Sequence, residues 1–184
     1  MAVLFISEDK LKKSTTINGN VDVELLLPYI KVSQDTRIHE MLGTDLYNKL
    51  QADITASTLT GAYQTLVDDY IQDCLVHYAL YEAMPFLSFK IMNKDIVRKT
   101  SETSTAASLE DIKYLRDIVL NTAEWYAKRL VEYLCNNTSS FSEYSTNSGA
   151  DISPTKDAYF SGMNLGTPQT NRLTLNDFLT PDLK

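Results

Sequence analysis

The stretch IHEMLGTDLYNKLQAD, residues 38–53, decides how the chain turns. It contains the end of one helix, a single glycine and the immediate start of a second helix. The first helix is predicted to begin after Asp22, with Pro28 in its first turns or at a kink. Gly43 suits the left-handed residue that closes a helix, because glycine adopts that conformation without a steric penalty.

The residues around this glycine form a predicted structural corner. Thr44 is expected to cap the second helix, and Asp45 suits the positive end of that helix dipole. The apolar members should pack the corner against a long helix. The corner comprises Leu42, Gly43, Thr44, Leu46 and Tyr47.

Two further segments carry long helical patterns. Between Thr60, a candidate cap, and Pro85, a candidate stop, apolar residues recur at steps of three and four. The last long helix begins after Ser108, another candidate cap, with acidic residues in its first turn. We therefore predict a mainly α fold, a small bundle of two long helices and two or more shorter ones.

Three segments fall outside this helical pattern. Residues 1–20 are predicted to form an N-terminal arm, with a short strand over residues 3–6. A β-hairpin or protruding loop is predicted over about residues 86–107. The polar residues 136–184 show no helical period and are predicted to form an extended C-terminal arm, which leaves residues 21–135 as the helical domain.

The predicted C-terminal arm carries isolated apolar residues that a purely disordered tail would lack. Such anchors suit a segment that orders against another molecule, and the alternative is a segment that wraps around its own domain. The 11 tyrosines of the chain also hint at an interface, although ordinary core and helix-surface tyrosines are the alternative. The candidate interface residues are Phe141, Tyr144, Tyr159, Phe160, Met163, Leu165, Leu173, Leu175, Phe178 and Leu179.

The charge pattern argues against a general nucleic-acid binder. The chain has 184 residues and a net charge of −7, whereas such binders normally carry a basic face. The predicted hairpin is a local exception, with Lys90, Lys94, Arg98 and Lys99. These cations suit a protrusion that meets an acidic partner or a DNA channel, and the alternative is an ordinary solvated loop.

Residues for chemistry are few. The spacing of Cys74, His77, Cys135 and His39 does not match a zinc site, and the default for both cysteines is a buried free thiol. No nucleophile–base pattern or phosphate loop is present. We therefore predict no enzyme, no metal and no cofactor.

An enzyme remains an alternative class, with a site built from His77, Glu82 and Glu124. The apolar runs are too short for a membrane-spanning helix, and the first residues do not have the order of a signal peptide. These features predict a chain made in a cytoplasm that does not bind a membrane.

Residues of about 20–145 resemble head–tail connector (adaptor) proteins of tailed bacteriophages, in particular the branch in phages and prophages of Bacteroidetes that includes the crAss-like phages. The stretches that carry the resemblance are LLLPYIKVSQDTRIHEMLGTDLYNKL, YALYEAMPFLSFKIMNKDIVRK, SLEDIKYLRDIVLNTAEWYAKRLVEYL and FSEY. They are packing motifs, and no catalytic residue carries over with them.

The resemblance implies a virion structural protein located in the neck and assembled in the cytoplasm of the bacterial host. Such subunits form a ring, commonly a dodecamer, that docks under the portal protein and extends the DNA channel. The ring is also the platform for the next neck or tail protein, and genomic DNA passes through it without sequence-specific binding. The alternative is a small soluble helical module for protein binding or regulation.

Overall fold

The computed structural model of the chain describes residues 3–17, 20–91, 96–98, 108–146, 148–149 and 151–156, with the backbone alone at residues 90, 91 and 96–98. The described part is mainly α, as the sequence predicts. Its helices are α1 (Glu8–Ser14), α2 (Val23–Ser33), α3 (His39–Leu42), α4 (Thr44–Ala56), α5 (Gly61–Leu66), α6 (Gln72–Ser88), α7 (Leu109–Asn136) and α8 (Ser142–Thr146).

Shorter elements connect these helices. The π-helical segments Gln34–Ile38 and Val67–Ile71 join α2 to α3 and α5 to α6 without a break, and the 3₁₀ turn Thr138–Ser140 precedes α8. Strands β1 (Phe89–Ile91) and β2 (Ile96–Arg98) pair antiparallel, with Ile91 opposite Ile96.

Helix α6 is the centre of the core, because it packs against both α2 and α7. His77 faces α7, where its ring stacks on Tyr126 with 5.0 Å between centroids. Phe86 faces α2 and stacks on Tyr29 at 4.9 Å. His77 and Phe86 are nine residues apart, which at about 100° per residue places them on opposite sides of α6. Helices α2 and α7 therefore flank α6.

Many of the tyrosines pack within the chain. Tyr70 and Tyr133 stack with 3.9 Å between ring centroids, and Tyr63 meets Phe141 edge to face at 5.4 Å. For these residues the core alternative applies rather than an interface. Tyr114 is different, because its side chain lies on the surface.

Helix α7 begins with the cap that the sequence predicts. Ser108 Oγ accepts a hydrogen bond from the backbone N–H of Asp111 at 3.0 Å, and Asp111 Oδ2 accepts one from the N–H of Ser108 at 2.9 Å. This reciprocal capping box satisfies two N–H groups that a helix end leaves open. Burial is uneven along α7, whose fully buried residues begin only at Ala123.

The prediction that Pro85 ends the preceding helix is wrong. Helix α6 continues to Ser88, so the segment predicted as a hairpin or loop over about residues 86–107 starts with three helical residues. A proline has no N–H to donate to the carbonyl four residues earlier, here that of Tyr81. Arg116 of α7 replaces it, because its Nε donates to Tyr81 O at 3.3 Å and its guanidinium lies over the Tyr81 ring.

The short strand expected over residues 3–6 is also wrong, and α1 lies within the predicted N-terminal arm. Phe5 is held by the side-chain amide of Gln34, which is fully buried in the π-helical segment after α2. Gln34 Oε1 accepts from Phe5 N at 2.8 Å, while Nε2 donates to Val3 O at 2.8 Å and to Tyr47 Oη at 3.0 Å. One side chain thus holds the N-terminal segment and α4 together.

Replacing Gln34 by alanine tests this arrangement. Gln34→Ala leaves the buried N–H of Phe5 without its acceptor, so we expect the free energy of unfolding to fall by about 3 kcal/mol. Gln64→Ala is the control, because Gln64 is exposed on a helix and its loss should change stability by less than about 0.5 kcal/mol. Urea denaturation followed by circular dichroism measures both. Equal stability of the two variants would show that the amide does not hold the N-terminal segment.

Candidate functional site

Gly43 links α3 to α4 with φ 75° and ψ 160°. The φ is positive, as the sequence predicts, but the ψ differs from that of the left-handed helical region and belongs to a region that is essentially restricted to glycine. A Cβ on Gly43 would lie 2.7 Å from Cδ and 2.8 Å from N of Pro154. A second part of the chain therefore lies directly on this corner.

That second part is the clasp, which we define as residues 148–149 and 151–156. Thr155 donates from its N–H and from Oγ1 to Glu40 O, both at 3.2 Å. Ile152 O accepts from the N–H of Thr44 at 3.0 Å. The first contact satisfies a carbonyl at the end of α3 and the second an N–H at the start of α4, two groups that have no partner within their helices.

The prediction that Thr44 is the N-cap of α4 is wrong. Gly43 occupies that position and Thr44 is the first helical residue. The Thr44 hydroxyl instead accepts a hydrogen bond from Ile152 N at 2.9 Å and is hydrogen-bonded to His39 Nε2 at 2.9 Å. Because the clasp supplies the polar partners that a capping side chain would give, the corner needs no cap from its own sequence.

Asp45 fixes the near end of the clasp. Its carboxylate accepts hydrogen bonds from the backbone N–H of Ser148 and, at 2.7 Å, from Ser148 Oγ. These bonds favour the charged carboxylate and lower the pKa of Asp45. Asp45 thus contributes to the clasp besides its predicted place at the helix start.

The far end of the clasp is held by the end of α7 and by α8. Tyr144 Oη donates to Thr155 O at 2.7 Å, and Cys135 Sγ donates to Lys156 O at 3.3 Å. Tyr144 is almost fully buried, which raises the pKa of its hydroxyl. The chain leaves the described region at Lys156, beside the C-terminal end of α7.

The predicted C-terminal arm therefore needs a correction at its start. Residues 138–146 are largely helical rather than extended, and Phe141 and Tyr144 lie in the core of their own chain, so neither can be a surface contact in this fold. For this part the intramolecular alternative holds. The other candidate interface residues, Tyr159, Phe160, Met163, Leu165, Leu173, Leu175, Phe178 and Leu179, lie outside the described residues.

The apolar corner residues are buried. Leu42 and Leu46 have no exposed surface, and Tyr47 packs edge to face on Phe5 at 5.4 Å. Tyr47 Oη donates to Asp35 Oδ1 at 2.9 Å, and burial raises the pKa of Tyr47 to about 12. These contacts join the corner to the N-terminal segment.

Of the four basic residues predicted on the hairpin, Lys90 lies on β1 and Arg98 on β2. In the register of the pair, Lys90 is opposite Val97. Lys94 and Lys99 lie outside the described residues.

The residues considered for an enzyme lie in separate surroundings. Glu82 pairs with Arg37 at 3.9 Å on the α2 side of α6, and Glu124 is exposed on α7. His77 stacks on Tyr126 on the other side, and burial lowers its pKa. The thiol of Cys74 is fully buried, and burial raises its pKa, which keeps it protonated.

Among the residues that the structure describes, no three His, Cys, Asp or Glu side chains are grouped so that they could hold a metal ion. None of the described helices has the length and apolar character needed to cross a membrane.

The α7 stripe, defined as Tyr114, Leu115, Ile118 and Trp125, is the main apolar surface of the described chain. Tyr114 is 68% exposed and Trp125 60%. Tyr114, Ile118 and Trp125 are four and seven residues apart, so they share one side of α7, with Leu115 at its edge. A smaller α2 patch, defined as Leu25, Val32 and Phe86, lies on the other side of α6. Neighbouring exposed apolar side chains are candidate interaction sites.

A family model described as a family of unknown function (DUF6712) matches residues 38–154, which is more than half of the chain. The chain belongs to this family. The DUF6712 match begins at Ile38, before the corner, and ends at Pro154, so it contains both sides of the Gly43–Pro154 contact. No curated protein and no solved structure matches the chain.

Two glycines with positive φ separate the effect of Pro154 from the effect of backbone strain. Gly61 has φ 62° and nothing within 4 Å of an added Cβ, so we expect Gly61→Ala to destabilise by about 1 kcal/mol through strain alone. Gly43→Ala adds the collision with Pro154, and we expect about 3 kcal/mol. Thermal or urea unfolding measures both. Equal losses would mean that Pro154 does not press on the corner.

Asp45→Ala tests the hold of the clasp. We expect faster hydrogen exchange at the backbone amides of Thr44, which donates to Ile152 O of the clasp, and of Thr155, which donates from the clasp to Glu40 O. The control variant Asp117→Ala removes an exposed carboxylate on α7 and should leave both exchange rates unchanged.

The lowered pKa of Asp45 also gives a pH dependence. Its stabilisation is fully present above the ordinary pKa of 3.8 and is lost as the pH falls through the lowered value. Protection factors of the wild type should therefore fall in that acid range, and those of Asp45→Ala should lack this component. Identical pH profiles would contradict a role of the carboxylate.

Proposed function

We propose that this chain is a virion structural protein, a head–tail connector subunit that assembles as a ring under the portal protein. The ring extends the DNA channel and offers a platform to the next neck or tail protein. The sequence resemblance over residues of about 20–145 supports this function. The resemblance overlaps most of the DUF6712 match, so it concerns the same folded part of the chain.

The observation that carries the proposal is the exposed α7 stripe. None of the residues 109–122 is fully buried, so about 20 Å of helix stands at the edge of the core. Burying one large apolar side chain contributes roughly 1.5–3 kcal/mol. The four side chains of the stripe are 45–68% exposed, so each would contribute part of this value, and together they favour association.

The second apolar surface supports a ring rather than a symmetric pair. The α2 patch lies across α6 from the α7 stripe, so a subunit has two different apolar surfaces on opposite flanks. Contact between the α7 stripe of one copy and the α2 patch of the next is heterologous, and heterologous contacts close into rings when the rotation fits. The number of copies follows from that angle, and the resemblance favours a dodecamer.

The termini and the hairpin complete the proposed subunit. The clasp fixes the point at Lys156 where the C-terminal arm leaves the core, and that arm together with the N-terminal segment would contact neighbours. The β1–β2 hairpin would protrude, with Lys90 and Arg98 meeting an acidic partner or passing DNA. Elsewhere the net charge of −7 repels the phosphate backbone, which keeps DNA from adhering during passage.

The proposal predicts that charges on the α7 stripe prevent assembly. Tyr114→Glu/Trp125→Glu places two carboxylates in the contact, and we expect loss of ring-sized species while the helical circular dichroism is unchanged. Ala62→Glu/Gln64→Glu adds the same charge on exposed positions of α5 and should assemble normally. Mass photometry of each purified protein, alone and with portal protein, gives the size.

Two results would overturn the proposed function. One is a wild-type chain that stays monomeric and ignores the portal protein, which would favour a small soluble binding module. The other is normal assembly of the doubly charged variant, which would remove the α7 stripe from the contact.

A further inference from the structure

An apolar groove adjoins the α7 stripe and shares Leu115 and Ile118 with it. It lies between residues 14–17, Val21, α6 and α7. It consists of two adjoining cavities of about 380 Å³ and 280 Å³, both lined by Thr16, Leu80, Met84 and Leu115. Each cavity lies near the size range of ligand pockets. Along α7 their combined lining extends from Ile112 to Thr122, about 15 Å, which suits an extended peptide better than a compact molecule.

The lining chemistry also fits a peptide. Among the described residues, no Lys, Arg, Asp or Glu lines either cavity, and the apolar walls are edged by hydroxyls such as those of Ser14, Thr15 and Thr122. His77 is the one ring with a titratable nitrogen in the lining, and its burial keeps it neutral. Apolar walls receive side chains, and hydroxyls at the edge can bond the main chain of a bound segment.

The chain itself contains a segment of matching chemistry beyond the clasp. Residues 157–184 hold two groups of apolar residues, separated by the polar spacer GTPQTNR at residues 166–172. The distal group has the sequence LTLNDFL at residues 173–179. Leu173 and Leu175 alternate with polar residues, so in an extended chain both point to the same side.

The position of Lys156 sets what the distal group can reach. Its carbonyl contacts Cys135, twenty residues along α7 from the groove residue Leu115, which corresponds to about 30 Å. An extended chain covers at most about 3.3 Å per residue, so residue 173 can lie roughly 55 Å from Lys156. Because this reach exceeds the distance to the subunit's own groove, the distal group has enough length to reach the groove of an adjacent copy in the ring proposed above.

We propose that the groove of each subunit binds residues 173–179 of a neighbouring subunit, with Leu173 and Leu175 seated between α6 and α7. Because it needs a neighbour, this binding mode rests on the ring assembly proposed above. It links adjacent subunits by a second contact, next to Tyr114 and Trp125 of the α7 stripe. Loss of one buried leucine should weaken assembly roughly tenfold or more, and we expect this for Leu175→Asp.

Disulfide crosslinking in the full chain tests the occupant directly. Met84→Cys with Leu175→Cys, in a Cys135→Ser background, places one thiol in the groove and one in the distal group. After mild oxidation we expect covalent dimers and higher multiples on a non-reducing gel. Ala62→Cys with Leu175→Cys is the control, because Ala62 is exposed on α5 away from the groove, and it should give at least tenfold fewer such products.

The outcomes separate this proposal from the proposed function. A crosslinked monomer would show that the groove holds the subunit's own segment and would overturn the exchange between neighbours. Ring-sized assemblies without crosslinks, or with equal crosslinking in the control, would overturn the groove contact and leave the ring intact. Absence of assemblies in the uncrosslinked protein with portal protein would overturn both.

Discussion

The contact between Gly43 and Pro154 joins two parts of the chain that are more than one hundred residues apart. Its effect depends on a backbone conformation that only glycine adopts easily and on a space that a single methyl group would fill. Around it, Thr155 and Ile152 supply hydrogen bonds to the open ends of two helices. The direction of α4 relative to α3, and the point where the C-terminal arm begins, are therefore set by the same few atoms.

The rest of the core follows from two further long-range links. The buried amide of Gln34 bonds the N-terminal segment and α4. Arg116 of α7 donates to Tyr81 O, the carbonyl of α6 that Pro85 leaves without a donor, and so holds α7 against α6. Arg116 lies in the first part of α7, where no residue before Ala123 is fully buried. The molecule thus combines a tightly bonded centre with an apolar helical edge, which is the distribution expected of a subunit that completes its packing in an assembly.

Local sequence signals were enough to predict several helix ends. The helix end at Gly43 and the capping box at Ser108 could be predicted because each depends on residues within one or two turns. Pro85 misled, since the group that compensates for its missing N–H is Arg116 on another helix. Phe141 and Tyr144 misled for a similar reason: a polar, aperiodic sequence does not reveal that two aromatic side chains return to the core.

The clasp could not be predicted, because its partners Glu40 and Thr44 offer backbone groups and a hydroxyl rather than a sequence motif. A glycine that breaks a helix without a loop was the only signal of a second segment there. The proposed function rests on the resemblance and on the exposed α7 stripe. Electron microscopy of intact particles carrying this chain tests it most directly. The account predicts a closed ring of this chain in the neck, directly under the portal and around a continuous channel; particles whose neck lacks the chain would contradict it.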